Sequence, residues 1–350
     1  MLYKVIGIMS GTSLDGVDLA YCEFTRTERW EFKLLHAKTI SYDKKWKKAL
    51  GEIQNGSASD LAELNCSYGN YLGELVKDFC LEKNLLPDFI SSHGHTVFHQ
   101  PDHGMTYQIG SGANLAARVG LPVVCDFRTQ DVALGGQGAP LVPVGDRLLF
   151  SEFDFCLNLG GIANISYDEN NKRIAYDVCE CNLVLNYFSG MLGKDFDENG
   201  DLAKRGKPDT ELMKLLGKLP YYSKPYPKSL GREDFENNLL PIFNTSQVSP
   251  ENGLATFCHH IARQIAHSVN VPGKTGIRML LTGGGALNSY LVDCIRNECN
   301  CEMIIPDRTI IEFKEAIIFG FLGVLRMRNE VNCLSSVTGA EKDSCSGAIY

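Results

Sequence analysis

Twice along this 350-residue chain an apolar, strand-forming run meets a glycine turn and emerges into two further strand-like runs. The first occurrence covers residues 3–9, 17–24 and 32–40, and its turn is Ser10-Gly11-Thr12-Ser13-Leu14-Asp15-Gly16. The second covers residues 153–159, 162–167 and 173–178, turning first at Gly160-Gly161 and then at Asp168-Glu169-Asn170-Asn171. Three strands in succession without a helix predict a β-meander, and helical spacing follows each of them. A helix is expected over residues 60–82, where Leu61, Leu64, Tyr68, Leu72, Leu75 and Phe79 share one face, with Ser59 or Asp60 as N-cap. Others are expected at 183–192, 253–269, 287–297 and 312–328, and short strands at 87–92, 279–282 and 303–305. The proline- and lysine-bearing stretch 221–234 predicts an exposed loop. Two halves with one grammar, in a chain too long for a single ordinary domain, predict a two-domain α/β protein.

Charge narrows the partners. With 34 Lys and Arg against 42 Asp and Glu, the net charge is −8. That argues against nucleic-acid or anionic-membrane binding, both of which need a positive field. It does not exclude phosphate, which a single backbone nest or helix N-terminus holds whatever the overall charge. The first apolar run is short and interrupted by Lys4, so it reads as a strand rather than a signal peptide. No stretch approaches the length of a membrane helix, and a cytoplasmic protein is expected. The closest cysteine pairs among the 13, Cys179 with Cys181 and Cys299 with Cys301, lack the C-x-x-C spacing. Free buried thiols are therefore expected rather than a zinc site. His93, His95 and His99 have no adjacent acidic or thiol ligands, and no metal site is predicted on protein side chains.

The glycine turns carry the chemistry. A glycine-rich turn after a strand lets backbone N–H groups converge on phosphate oxygens. The first, Gly11-Thr12-Ser13-Leu14-Asp15-Gly16-Val17-Asp18, adds hydroxyls for phosphate and carboxylates able to orient Mg2+ through water. The second is Asn158-Leu159-Gly160-Gly161-Ile162-Ala163-Asn164. The third, Thr282-Gly283-Gly284-Gly285-Ala286-Leu287-Asn288, lies between a strand and a helix and suits the base and ribose of a nucleotide. Any one of them also reads as an ordinary structural turn; the three in this order point to a nucleotide site. Neither a Walker A pattern nor a Rossmann G-x-G-x-x-G is present.

The residues Ile8-Met9-Ser10-Gly11-Thr12-Ser13-Leu14-Asp15-Gly16-Val17-Asp18 resemble the opening signature of the anhydro-N-acetylmuramic acid kinases. Ser92-His93-Gly94-His95-Thr96-Val97-Phe98-His99 is similar to that family's S-H-G-Q-T-V-x-H segment, and Gln108-Ile109-Gly110 follows it. The likeness continues through Asp126-Phe127-Arg128-Thr129-Gln130-Asp131, Gly135-Gly136-Gln137-Gly138-Ala139-Pro140-Leu141, Pro227-Lys228-Ser229-Leu230-Gly231-Arg232-Glu233, the triple glycine and Glu315-Ala316.

The resemblance implies an actin/hexokinase-like fold, with an ATP cleft between two mixed-sheet α/β domains. One domain would be residues 1–130 with about 310–350, holding the first phosphate turn and the sugar-binding segments. The other would be 131–309, holding the second phosphate turn and the adenosine motif. It implies a Mg2+-ATP-dependent homodimer acting on a small amino sugar. The enzyme would hydrolyse the 1,6-anhydro bridge of anhydro-N-acetylmuramic acid and phosphorylate O6, giving N-acetylmuramic acid 6-phosphate in cell-wall recycling. Asp177 matches the position of the family's base, and Glu315 would contact the same water; on sequence alone both also read as a strand-end residue and a solvated helix position. His93, Gln108, Asp126, Arg128 and Asp131 would bind the sugar, with Arg128 forking onto its lactyl carboxylate; a structural Arg–Asp pair is the other reading. Two departures stand out. The family's T-G-P-G after the base is here Val178-Cys179-Glu180-Cys181, and His95 replaces a glutamine. An ordinary hexosamine kinase of the same fold, or a non-catalytic sensor of muropeptide or ATP, are the competing readings.

Overall fold

The first strand, β1 (Leu2–Ser10), is buried through its middle, as a nearly continuous apolar run must be when both faces of a sheet are covered. The computed structural model describes residues 1–350. It divides into a first unit, Met1–Leu149 with Phe313–Tyr350, and a second, Phe150–Glu312.

In the first unit β1 pairs antiparallel with β2 (Gly16–Arg26), which pairs with β3 (Trp30–Ser41). Helices α1 (Lys44–Glu52) and α2 (Ala58–Lys83) follow. The N-cap of α2 is Ser57 rather than Ser59 or Asp60. Ser57 and Asp60 satisfy each other's backbone N–H in a capping box, and that reciprocity fixes the start of the helix one turn early. Tyr68, Leu72, Val76 and Phe79 form its buried face. β4 (Phe89–Gln100) lies parallel to β1 and runs beyond the expected strand, because β5 (Met105–Ile109) folds back against its far half. After α3 (Gly112–Val119), β6 (Val123–Cys125) adds parallel to β4, and α4 (Thr129–Ala133) and α5 (Val142–Leu149) complete this segment.

The second unit repeats the plan. β7 (Phe155–Leu159), β8 (Ile162–Glu169) and β9 (Lys172–Glu180) form an antiparallel meander. Helices α6 (Asn182–Met191), α7 (Thr210–Leu216), α8 (Arg232–Asp234), α9 (Leu240–Ser246) and α10 (Pro250–Val269) precede β10 (Arg278–Thr282), α11 (Ser289–Glu298) and β11 (Glu302–Ile304). β10 adds parallel beside β7, and β11 adds parallel beside β10. The strand order β11-β10-β7-β8-β9 thus matches β6-β4-β1-β2-β3 of the first sheet. The expected loop at 221–234 is largely exposed but contains part of the turn Pro220–Ser223 and the start of α8.

The chain returns to the first unit along α12 (Arg308–Met327), followed by α13 (Ser335–Thr338) and β12 (Ala348–Ile349), which pairs with β6. The expected division after residue 130 is displaced here: α4 and α5 belong to the first unit. Asp131 accepts hydrogen bonds from Thr338 and Cys333, and Asp146 forms a buried ion pair with Lys314 at 2.7 Å. The α/β class and the two mixed sheets are those expected from the sequence. Nine of the free cysteines are buried, and no helix is long and apolar enough to cross a membrane.

Helix α12 lies so close to β1 that a Cβ on Gly7 would stand 2.0 Å from the Ala316 carbonyl oxygen and 2.8 Å from Gly320 N. Both neighbours are backbone, which cannot swing aside. Gly7→Ala is expected to lower the unfolding free energy by about 3 kcal/mol or more. Gly190→Ala, in α6 with open space around the added methyl, should be neutral or raise it by about 0.5 kcal/mol. Urea denaturation of the two variants checks both signs.

Candidate active site

In each unit the parallel strands end where a ligand is most easily received, outside their carboxyl ends. In the first unit these ends carry the first glycine turn and the segment from Ser92 to Thr96. Ser10, the last residue of β1, is in register with His95 on β4, across an irregularity after Ile8. Thr12, Ser13 and Asp15 are exposed, Gly11 and Leu14 half-buried, and Leu14 adopts φ 59°. Gly16 is obligatory, since a Cβ there would meet the Ile40 carbonyl oxygen at 2.4 Å. Asp18 accepts a hydrogen bond from Thr39 Oγ1 at 2.6 Å. The Val17 side chain is fully buried in the core, because alternate residues of β2 face inward.

Arg128 is the centre of a second group. Its Nε–H donates to His93 Nε2 at 2.9 Å, its Nη1 donates to the Gly138 carbonyl at 2.6 Å, and its guanidinium lies 5.9 Å from the centre of the Phe319 ring. Arginine has only donors, so His93 Nε2 must accept, and the ring proton sits on Nδ1, which donates to the Gly94 carbonyl at 2.9 Å. Burial, then the neighbouring Arg128 charge, holds His93 well below its ordinary value. With both nitrogens engaged and 5% exposure, His93 orients Arg128. Asp131 lies deeper still. It is 1% exposed, and its carboxylate accepts from Gly138 N, Thr338 Oγ1 and Cys333 Sγ. That saturates it as the anchor of the loop carrying Gly138. Asp126 is exposed with φ 59°. Gln108 donates to Thr96 and Thr106 through Nε2, while its Oε1 is buried without a hydrogen-bond partner.

Glu315, on α12, reaches solvent, yet desolvation raises its carboxyl above the ordinary range. Arg128 opposes this, and Asp18 adds to it. Burial lowers Arg128, and Glu315 is the largest of the charges that counter it. Asp18, Arg128 and Glu315 therefore form one electrostatic group within the first unit, whereas the sequence left them as separate candidates.

In the second unit Asp177 is on β9, directly across from Asn164 on β8. Next to this pair the register shifts, so that Ala163 faces Cys179 and Val178 is skipped. Such a bulge re-aims side chains at a strand end. Segment 221–230 then grips Asp177 at three atoms: Asp177 N donates to the Lys228 carbonyl at 3.2 Å, Tyr221 Oη donates to the Asp177 carbonyl at 2.6 Å, and Leu230 N donates to Oδ2 at 2.9 Å. Burial raises the Asp177 carboxyl; the Leu230 hydrogen bond opposes that rise. The departing residues Val178, Cys179, Glu180 and Cys181 are all buried. Glu180 therefore does not project as an added solvent-facing carboxylate. Burial raises its pKa, and Tyr222 Oη reaches its Oε2 at 3.4 Å.

The second and third glycine turns meet within this unit. A Cβ on Gly283 (φ 81°) would stand 2.7 Å from Asn158 Oδ1 and from the Leu159 carbonyl carbon, and one on Gly285 would stand 2.7 Å from Leu159 Cβ. Gly161 and Gly284 are exposed: a Cβ on Gly161 would meet nothing within 4 Å, and one on Gly284 only Asn182 Nδ2 at 3.8 Å. Asn182, directly after the Val178–Cys181 stretch, braces the second turn from beside the third. Its Nδ2 donates to the Leu159 carbonyl at 3.0 Å and its backbone N to the Gly160 carbonyl at 3.1 Å, while a Cβ on Gly285 would stand 3.4 Å from its Oδ1. An open floor of glycines backed by an asparagine, at strand ends, is a cradle that side chains would fill, and it fits a nucleotide phosphate or ribose. No cluster of three metal-ligating side chains is present.

Residues 3–350 match the family described as anhydro-N-acetylmuramic acid kinase. A relative of that name from Sulfurimonas denitrificans is 34% identical over 369 residues, covering 99% of this chain and 98% of its own. One from Coxiella burnetii is 34% identical over 364 residues, covering 99% and 97%. Among solved structures, a ROK family glucokinase from Streptomyces griseus in complex with glucose and AMPPNP aligns at a TM-score of 0.41 with 11% identity, over 91% of this chain and 98% of that one. With its full length matched and its glycine turns standing on two mixed sheets of one strand order, the chain belongs to the anhydro-N-acetylmuramic acid kinase family.

Proposed function

We propose that this kinase opens the 1,6-anhydro ring of anhydro-N-acetylmuramic acid and phosphorylates O6 at one site, giving N-acetylmuramic acid 6-phosphate for cell-wall recycling in the cytoplasm. The observation that carries the reading is Asp177. It is a half-buried carboxylate held at three atoms, with its pKa raised by burial. Those are the properties wanted of a general base working near neutral pH. Asp177 takes a proton from water as the water oxygen adds to C1; the C1–O6 bond breaks, and O6 is left to accept a phosphoryl group. Mg2+-ATP, when bound, supplies that group. Glu315 is proposed as the second carboxylate at this water.

Arg128 is proposed to fork onto the lactyl carboxylate, oriented from behind by His93 and Gly138. Gln108, with an unpartnered buried acceptor oxygen, suits an N–H or O–H of the sugar, and Asp126 stands exposed beside this region of the sequence. Gly11, Thr12 and Ser13 of the first turn, with Gly160, Gly161 and Asn164 of the second, are proposed to hold the phosphates. Gly283, Gly284 and Gly285 would receive the adenosine. Asp15 and Asp18 are the carboxylates offered to Mg2+ through water, as suits an ion that keeps most of its hydration. A homodimer is proposed for the assembly.

Mass-spectrometric assay in 18O-water with Mg2+-ATP should give the 6-phosphate carrying one 18O at C1 from wild type. Asp177→Asn should lower the rate by about 10^2- to 10^4-fold. A phosphorylated product that retains its ring would instead establish an ordinary hexosamine kinase. Because the base acts deprotonated and burial raises its pKa, the acidic limb of kcat should lie above the ordinary aspartate value of 3.8, with activity rising as pH increases through it. Arg128→Lys should raise the sugar KM by about tenfold or more, since a point charge replaces a fork. Asp131→Asn should leave that KM near wild type while removing about 1.5–3 kcal/mol of stability; equal KM effects would return Asp131 to the sugar site.

A further inference from the structure

The first glycine turn is weakly held by its own backbone: Leu14 N reaches the Gly11 carbonyl only at 3.5 Å, and Thr12, Ser13 and Asp15 are exposed. Tyr42, the residue after β3, touches both ends of it. Its hydroxyl is 2.6 Å from Ser10 Oγ, where the turn begins, and its backbone N–H donates to the Asp15 carbonyl at 3.3 Å, where the turn ends. The Tyr42 side chain is fixed in turn. It is 4% exposed, its ring packs 6.5 Å from that of Tyr68 and 6.4 Å from that of Tyr71, and its hydroxyl is 2.5 Å from that of Tyr68.

The hydroxyls have a direction. Ser10 Oγ lies 3.2 Å from His95 Nδ1, and burial keeps His95 neutral above a pKa of about 4. With Nδ1 as acceptor, Ser10 donates to His95, Tyr42 donates to Ser10 and Tyr68 donates to Tyr42, so each hydroxyl proton along the chain is used once. The reverse direction would leave the Tyr68 proton at the buried end of the chain.

We infer that Tyr42 is a positioning residue that clamps the turn from Ser10 to Asp15 in the conformation that receives the phosphates of a nucleoside triphosphate. The clamp is distinct from the glycines themselves: they give the turn its freedom, and Tyr42 removes that freedom before a ligand arrives, so less ordering is left to binding. The inference rests on the ATP-dependent reading of the turn.

The test compares Tyr42→Phe, Ser10→Ala, the double variant and Tyr71→Phe. Tyr71→Phe trims a ring that packs against Tyr42 and leaves the Ser10–Tyr42 bond intact. Affinity for a fluorescent ATP analogue with Mg2+, KM for each substrate and melting temperature are measured for all. Tyr42→Phe and Ser10→Ala should each weaken nucleotide binding by about threefold to tenfold, the value of one hydrogen bond. The double variant should lose less than the two singles combined, because both remove the Ser10–Tyr42 bond. Sugar KM should stay within about twofold, and Tyr71→Phe should bind nucleotide as wild type does. Unchanged nucleotide affinity in Tyr42→Phe overturns the clamp, as does a loss that falls equally on both substrates and tracks the melting temperature. A wild type that binds the analogue without phosphorylating the anhydro sugar removes the proposed function and leaves the clamp standing on the affinities. A wild type that binds no nucleotide removes both.

Discussion

The contact on which the first unit depends is the meeting of backbone with backbone between β1 and α12. Gly7 has no side chain, so the Ala316 carbonyl sits where a Cβ would stand. Two helical turns on, Gly323 faces the side chain of Ser91 on β4, and a Cβ there would stand 2.5 Å from its Oγ. A helix seated this low cannot slide or rotate without collision, because packed interiors have no slack to absorb it. Glu315 precedes Ala316, and Phe319, further along the same helix, supplies the ring beneath Arg128. The geometry of the charged group therefore follows from the absence of a methyl group on a strand.

A different device aims the second unit's carboxylate. There the ladder between β8 and β9 skips a residue, and a segment from outside the sheet fastens Asp177 by its backbone at both ends and by one carboxylate oxygen. Two opposed influences set its acidity: burial, which makes the charge harder to carry, and a backbone N–H, which makes it easier. The four residues that follow depart from the family pattern, yet they are absorbed as an extension of the strand and as buried packing. The departure changes what lies behind Asp177 more than what Asp177 presents.

How much of this was legible depends on the range of the interaction. The two meanders, the glycine turns and the long helices were readable because periodicity and turn chemistry are local properties. The start of α2 was misplaced because two serines compete for the cap, and only the reciprocal bond to Asp60 decides between them. β5 and α1 were missed: the first is a short strand defined by its partner, and the second is a lysine-rich segment with a single buried residue, Leu50. Among site residues, His93 and Asp131 were singled out, but their intramolecular partners were not foreseen. Their partners, Arg128 for one and Thr338 with Cys333 for the other, lie far along the chain. Asn182 stands five residues after Asp177, directly beyond the Val178–Cys181 stretch, and was passed over; Tyr42 left no signal.

The matching strand order of the two sheets has a consequence for how the halves came to differ. β4 and β10 occupy the same place, each the first parallel strand beside the opening strand of its meander. One of these strands runs into histidines, threonines and a hairpin partner, the other into three glycines and a helix. One strand order has thus been written in two dialects at a single address: histidine and threonine side chains on one copy, bare glycine backbone on the other. Exchanging residues between these two addresses would respect the topology and still erase what distinguishes the two units.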